Sequence, residues 1–268
     1  MFPTRPYRYF GTMLVCIFVI LTLSSYLAHA SSKKGMALCG ATYKCGDTYA
    51  LGDSSWWYNW HYQMEEYHGH HCAKWPHGEF VPMIWSERYI HEANIPFHST
   101  HVLGFNEPNA KNQANMSPEH AASLWPQVER IAGQRTLISP GLAGCDSNPD
   151  MCISWYDRFF KACHNCRVDR IAVHGYHCVP YQMMQSIEKI YKRFGRKIWL
   201  TEFACTTSHS VDEQIRFMQT LVPLLEKAPF VEKYAWFCSR SKMTGSWNLL
   251  NENSPTASRL GQAYNNIH

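Results

Sequence analysis

His101-Val102-Leu103-Gly104-Phe105 is a nearly unbroken apolar run that ends in Asn106-Glu107-Pro108-Asn109. Its length and lack of alternation predict a strand buried on both faces, as in a parallel sheet. Shortly after it, Ser117-Pro118 joins an N-cap hydroxyl to a proline at the first helical position. Ala121, Leu124, Trp125, Val128 and Ile131 then follow at three- and four-residue steps. One strand followed by one helix is the unit from which parallel sheets are built.

The unit recurs on both sides. Apolar runs at residues 36–39, 56–60, 80–85, 136–139, 170–174, 197–201 and 233–237 bring the strand candidates to eight. Helical patterns cover roughly residues 153–163 and 181–194. Ser210 with Glu213 reads as a capping box ahead of Ile215, Met218, Leu221, Val222 and Leu225. Ser254-Pro255 predicts the start of a last helix. Residues 40–55 carry no helical period and read as a loop tied by cysteines. Eight strands alternating with helices predict an α/β fold, a single-domain (β/α)8 TIM barrel. A doubly wound open sheet fits less well, because no glycine-rich phosphate fingerprint follows an early strand.

The 268 residues are 46% hydrophobic and 17% charged, which suits a sizeable core and excludes a disordered chain. A net charge of +4 without a basic run argues against nucleic acid as partner. Ten Trp exceed ordinary core needs and point to ring-stacking surfaces. Arg5 and Arg8, an apolar run over residues 13–27 and Ala28-His29-Ala30 have the three-part build of a secretory signal peptide. The run is short for a bilayer span of ~20 residues. Residues 1–30 are thus expected to be a signal and residues 31–268 the catalytic domain, secreted, monomeric and without stable membrane insertion. Cys16 lies in the signal. The other ten cysteines are an even number, as an exported, disulfide-bonded chain requires, but their pairing is open. Neither Cys163-His164-Asn165-Cys166 nor His68-Gly69-His70-His71-Cys72 has a second half at zinc spacing, so no metal is assigned. Asn115-Met116-Ser117 is an N-glycosylation sequon.

In a (β/α)8 barrel, chemistry gathers at the C-terminal ends of the strands. The fourth strand ends in Glu107 and the seventh, Ile198-Trp199-Leu200-Thr201, ends in Glu202. Two carboxyl groups facing one mouth suit glycoside hydrolysis: one protonates the leaving oxygen, the other attacks or positions water at the anomeric carbon. Asn106, His174 and Tyr176 are candidates to bond the nucleophile or sugar hydroxyls. Trp236, Trp57 and Trp60 are candidates to stack on sugar faces.

Val102-Leu103-Gly104-Phe105-Asn106-Glu107-Pro108-Asn109, Ile138-Ser139-Pro140-Gly141, Ile171-Ala172-Val173-His174-Gly175-Tyr176 and Trp199-Leu200-Thr201-Glu202-Phe203-Ala204 resemble the glycosyl hydrolase catalytic core family. So do Trp57-Tyr58-Asn59-Trp60 and Val81-Pro82-Met83-Ile84-Trp85. That family includes alkali-sensitive-linkage proteins of yeast cell walls and endo-β-1,3-glucanases of glycoside hydrolase family 128. The resemblance spans nearly the whole chain after residue 30, in order. It implies a retaining β-1,3-glucanase that needs no cofactor, with Glu107 as acid/base and Glu202 as nucleophile. It further implies that Asn106 contacts the sugar 2-hydroxyl and that Tyr176 lies beside the nucleophile. A β-glucan polysaccharide is the expected partner. The cysteines, the 40–55 loop and the His68–His71 cluster depart from the family pattern. Three other readings remain open: a non-catalytic carbohydrate-binding barrel, a transglycosylase, and a metalloenzyme using His70, His71 and Cys72.

Overall fold

The computed structural model describes residues 31–39, 42–64, 72–241 and 245–268. The expected signal at residues 1–30 and the histidines of residues 68–71 lie outside the described residues. Eight strands follow in order: β1 (Lys34–Ala37), β2 (Trp56–Tyr58), β3 (Glu79–Phe80), β4 (His101–Leu103), β5 (Thr136–Ile138), β6 (Ile171–Gly175), β7 (Ile198–Phe203) and β8 (Val231–Trp236). All pair in parallel, in the runs β3-β2-β1-β8-β7-β6 and β4-β5. Two seams complete the ring. At the first, Leu103 N donates to Pro82 O and Ile84 N to Leu103 O, both at 2.9 Å. At the second, Asp169 N donates to Leu137 O at 2.8 Å and Ser139 N to Arg170 O at 2.9 Å. The result is the expected (β/α)8 barrel, with no free edge among the described strands.

Inward residues of the strands pack the barrel axis: Trp56, Tyr58, Val81, Leu103, Ile138 and Trp199 fill it, with Ala37, Ala172 and Ala235 between the rings. The Trp56 and Trp199 centroids are 5.0 Å apart, and Lys233 Nζ caps both rings. Gly35 is required here: a Cβ at that position would lie 2.2 Å from the Trp56 ring.

Outward residues bury under α2 (Pro118–Ala132), α3 (Pro149–Cys163), α4 (Pro180–Phe194) and α5 (Val211–Lys227). Ser117 caps α2 by accepting from His120 N, and Asn148 caps α3 by accepting from Met151 N. The helix expected after Ser210 begins there, but its capping box does not form: the Ser210 side chain makes no capping bond, and Glu213 accepts from the Ser208 hydroxyl instead. One expected helix start is corrected. The last helix, α6 (Arg259–Asn266), starts after Ser258, not at Ser254-Pro255. Ser254 O is taken by Arg240 Nη2 at 3.0 Å and Thr256 O by Asn251 N at 2.9 Å, which holds that segment as a turn. The strand-helix alternation also thins at the start of the chain. Among the described residues the connections from β1 to β4 hold only the four-residue α1 (Asp47–Ala50) and a 3-10 turn at Glu87–Ile90.

Crosslinks tie these early connections down. The ten cysteines after residue 30 form five disulfides: Cys39–Cys238, Cys45–Cys72, Cys145–Cys152, Cys163–Cys166 and Cys178–Cys205. Arg240, after β8, forms a buried bidentate pair with Asp47 at 2.9 Å on each arm. Removing one partner of a buried pair leaves an uncompensated charge, at a cost of about 3–5 kcal/mol. Asp47→Asn should therefore lower the melting temperature by on the order of 10 °C. Arg158→Ala, which breaks the exposed pair with Glu119, should barely move it. Calorimetry of the two variants checks the contrast.

Candidate active site

The strand ladders continue past β4 and carry Glu107 to the mouth. Asn106 N donates to Trp85 O at 2.9 Å and Glu107 N to Gly141 O at 2.7 Å. Gly104 allows the close approach, since a Cβ there would meet the Trp125 ring and the backbone at Ser139 and Pro140 within 3 Å. Glu107 then takes a φ of 44°, and Trp60, after β2, takes 60°. Non-glycine residues rarely occupy this left-handed region except where surrounding structure imposes it.

Glu202 arrives by a different device. Along β7, Trp199 faces inward and Leu200 outward, so strict alternation would send residue 202 out under the helices. The register instead pairs Val173 with Leu200 but His174 with Glu202, leaving Thr201 as an extra residue in β7. The β7–β8 ladder shifts at the same place. This bulge turns the Glu202 carboxylate inward beside His174.

The two glutamates meet at one histidine. His174 Nδ1 lies 2.7 Å from Glu107 Oε1 and 3.4 Å from Glu202 Oε2. The ligand atoms of the three residues all fall within 4.8 Å of one another. Glu202 is further ringed by donors. Trp60 Nε1 donates to its Oε1 at 2.7 Å, Tyr58 Oη lies 3.2 Å from the same oxygen, and Tyr176 Oη donates to Oε2. Burial and the nearby Glu202 charge push the Tyr58 and Tyr176 phenols well above their ordinary value, so both keep the proton they donate. Burial opposes a charge on His174, but Glu202 and Glu107 outweigh it and raise the imidazole above 6.5. By position, Glu107, His174 and Glu202 could also ligate a cation. Their atoms are already engaged with one another and with the phenols and indole, an arrangement of donors on acceptors.

A cavity of about 560 Å³ opens over this cluster. Glu107, Glu202, Asn106, Tyr176 and Trp60 line it, and Asn106 Oδ1 is buried there without a hydrogen-bond partner. His174 is fully buried beneath the carboxylates, away from the cavity surface, where it contacts them and not a sugar. Trp57 and Trp236 are corrections. Both point outward from the barrel: Trp57 packs on Phe80 and Trp236 on Phe203, with exposures of 1% and 0%. One residue along in each strand, Tyr58 and Phe237 face inward instead. Tyr58 was legible as an alternate neighbour of Trp60 along one strand. Trp85, which closes the apolar run 80–85, also lines the cavity, as do Gln113 and Trp247, whose segments carry no strand or helix pattern in the sequence. Cys72 is bonded to Cys45, so its sulfur is unavailable to the metal reading. Asn115 of the sequon is exposed between β4 and α2.

The family profile described as glycosyl hydrolase catalytic core matches residues 35–264. Alkali-sensitive linkage protein 1 of Schizosaccharomyces pombe is 27% identical over 245 residues, which cover 87% of this chain and 44% of that protein. The chain therefore spans less than half the length of this curated relative. An endo-β-1,3-glucanase of glycoside hydrolase family 128, subgroup II, from Sorangium cellulosum is similar in structure. Its TM-score is 0.76 at 33% identity, over 88% of this chain and 98% of that one. A subgroup I endo-β-1,3-glucanase mutant from Amycolatopsis mediterranei, solved with laminarihexaose, has a TM-score of 0.71 at 30% identity. The match covers 89% of this chain and all of that one.

The raised pKa of His174 sets a pH dependence. Its charged form stabilises the fold below pH 6.5, and that contribution is lost as pH rises through the raised folded value. The melting-temperature gap between the unaltered protein and His174→Gln should be widest below pH 6.5 and narrow on the alkaline side. Thermal melts across this range measure it, and a gap that grows with pH would contradict the assignment.

Proposed function

The chain belongs to the glycosyl hydrolase catalytic core family, and on that premise we propose that it is a secreted, retaining endo-hydrolase of β-1,3-glucan. Glu107 is its acid/base and Glu202 its nucleophile. The observation that carries the reading is that one carboxylate oxygen of Glu107 lies within 4.8 Å of one of Glu202, both residues lining one cavity. Retaining glycosidases hold their carboxyl groups ~5–5.5 Å apart, and inverting enzymes ~6.5–9.5 Å. The β-1,3 linkage is supported by the laminarihexaose complex of the Amycolatopsis relative.

The roles follow from the surroundings. Glu202 is held by Tyr58, Trp60 and Tyr176, which fix one oxygen arrangement for in-line attack. Glu107 is more exposed, with 12% of its side chain accessible against 5% for Glu202, and among the described residues its carboxylate meets His174 Nδ1 at 2.7 Å. Its carboxyl is thus free to exchange a proton with the leaving oxygen and then with water. Glu202 attacks the anomeric carbon, the glycosidic bond breaks, and the Glu107 proton goes to the departing oxygen. Water, losing a proton to Glu107, then attacks the same carbon, releases Glu202 and restores the β configuration. The orphaned Asn106 Oδ1 is placed to accept from the 2-hydroxyl of that sugar. Residues 1–30 are the removed signal, and the five disulfides support an oxidising destination.

Reducing-sugar release from linear β-1,3-glucan tests the whole reading. Glu107→Gln and Glu202→Gln should each lose at least ~10²-fold in rate, and NMR of the fresh product should show the β anomer first. Full activity in either variant would refute its role. Azide separates the two glutamates. In Glu202→Ala it should attack the free face and yield an α-glycosyl azide. In Glu107→Ala it should intercept the covalent intermediate and yield the β product.

A further inference from the structure

Tyr49, Trp75 and Phe97 are three of the five exposed large hydrophobic residues among those described, at 49%, 64% and 94% exposure. They fall on one patch. Tyr49 Oη donates to Trp75 O at 2.7 Å. The His98 ring stands edge-on between the other two, 5.2 Å from Trp75 and 5.4 Å from Phe97. A second cavity, of about 420 Å³, is lined by Trp75, Phe97 and His98 together with Gln63 and Asn94. It shares no lining residue with the catalytic cavity. His98 Nε2 is buried there without a hydrogen-bond partner.

We propose that this patch is an accessory binding site for a neutral β-glucan chain, distinct from the catalytic cavity. Exposed aromatic clusters cost solvation and mark places where something docks. Among the described residues the cavity lining contains no Asp, Glu, Lys or Arg, which suits an uncharged ligand; Lys74 lies outside it, with Nζ 5.9 Å from the Tyr49 ring centroid. Indole and phenyl faces cover the C–H faces of a pyranose ring. Gln63 and Asn94 line the cavity and supply amide groups for the hydroxyl groups at its rim. Protein partners need roughly 800 Å² per side, whereas a single cavity of this size falls in the range that takes a few sugar units. Position argues for the enzyme's own polymer. One short segment serves both cavities: Trp60 lines the catalytic one, Gln63 and Met64 the other, with Asn59 Nδ2 donating to Gln63 O at 3.0 Å. A chain held at the patch is therefore kept beside the cleft. The inference rests on the β-1,3-glucan reading for the identity of the polymer, and on the patch alone for the existence of the site.

The test uses the full chain with Glu202→Gln to stop turnover, sedimented with insoluble linear β-1,3-glucan. Adding Trp75→Ala and Phe97→Ala should weaken binding roughly tenfold, the loss expected for removing aromatic anchors. Trp75→Tyr should keep most of it. In the active enzyme the same double alanine variant should hydrolyse soluble laminarihexaose within twofold of the unaltered rate, which also shows that it folds. Unchanged sedimentation, or an equal loss on soluble and insoluble substrate, overturns the proposal. So does a concentration-dependent dimer abolished by the double variant, since the patch would then be covered by a second copy. Absence of hydrolysis on every glucan, with patch-dependent sedimentation intact, would sink the catalytic reading and leave this site standing.

Discussion

Thr201 is one residue too many for its ladder, and the chemistry of this barrel hangs on that surplus. Without it, Glu202 would follow Leu200 outward and lie under the helical layer. With it, Glu202 pairs with His174 and enters the same mouth as Glu107. A bulge is stable here because β7 is flanked by β6 and β8 and buried along its whole length, so neighbours on both sides impose the irregular register. The left-handed backbone at Glu107 is held in the same way, by ladder bonds to strands on either side.

Once inside, the carboxylates are governed by donors. Two buried phenols, an indole and an imidazole converge on them. Each donor is itself fixed by the barrel. Tyr58 packs with Trp56 along the axis, and Tyr176 and Trp60 both meet the Phe237 ring edge-on. Aromatic residues thus serve twice, filling the interior below and polarising the acids above. This explains much of the tryptophan surplus without sugar stacking. What it leaves over is the exposed group at Trp75.

The loops around the mouth are stitched to one another more than to a helical shell. Cys39–Cys238 joins the ends of β1 and β8, and the Arg240–Asp47 pair joins the connections beyond them. Such ties compensate for the short connections between β1 and β4, where long helices are missing among the described residues. The disulfide holds Cys39 at the cavity rim, and Trp247 is held there by Trp236 Nε1, which donates to its carbonyl at 2.8 Å.

Much of this was legible from residues alone. Apolar runs of strand length, proline-opened helices and glutamates closing the fourth and seventh runs marked the barrel and its acid pair, because each is a local property of a few neighbours. The faces were not legible where they mattered most. Trp57 and Trp236 looked like platforms, yet Tyr58 and Phe237 hold the inward positions. A period of two says that neighbours differ, not which of them faces in. That choice, the bulge at Thr201, the pairing of ten cysteines and the shift of the last helix start from Ser254 to Ser258 were decided by tertiary structure. The inward faces, the bulge and three of the five disulfides depend on register between segments far apart in the chain, and register exists only once eight strands have closed on one another.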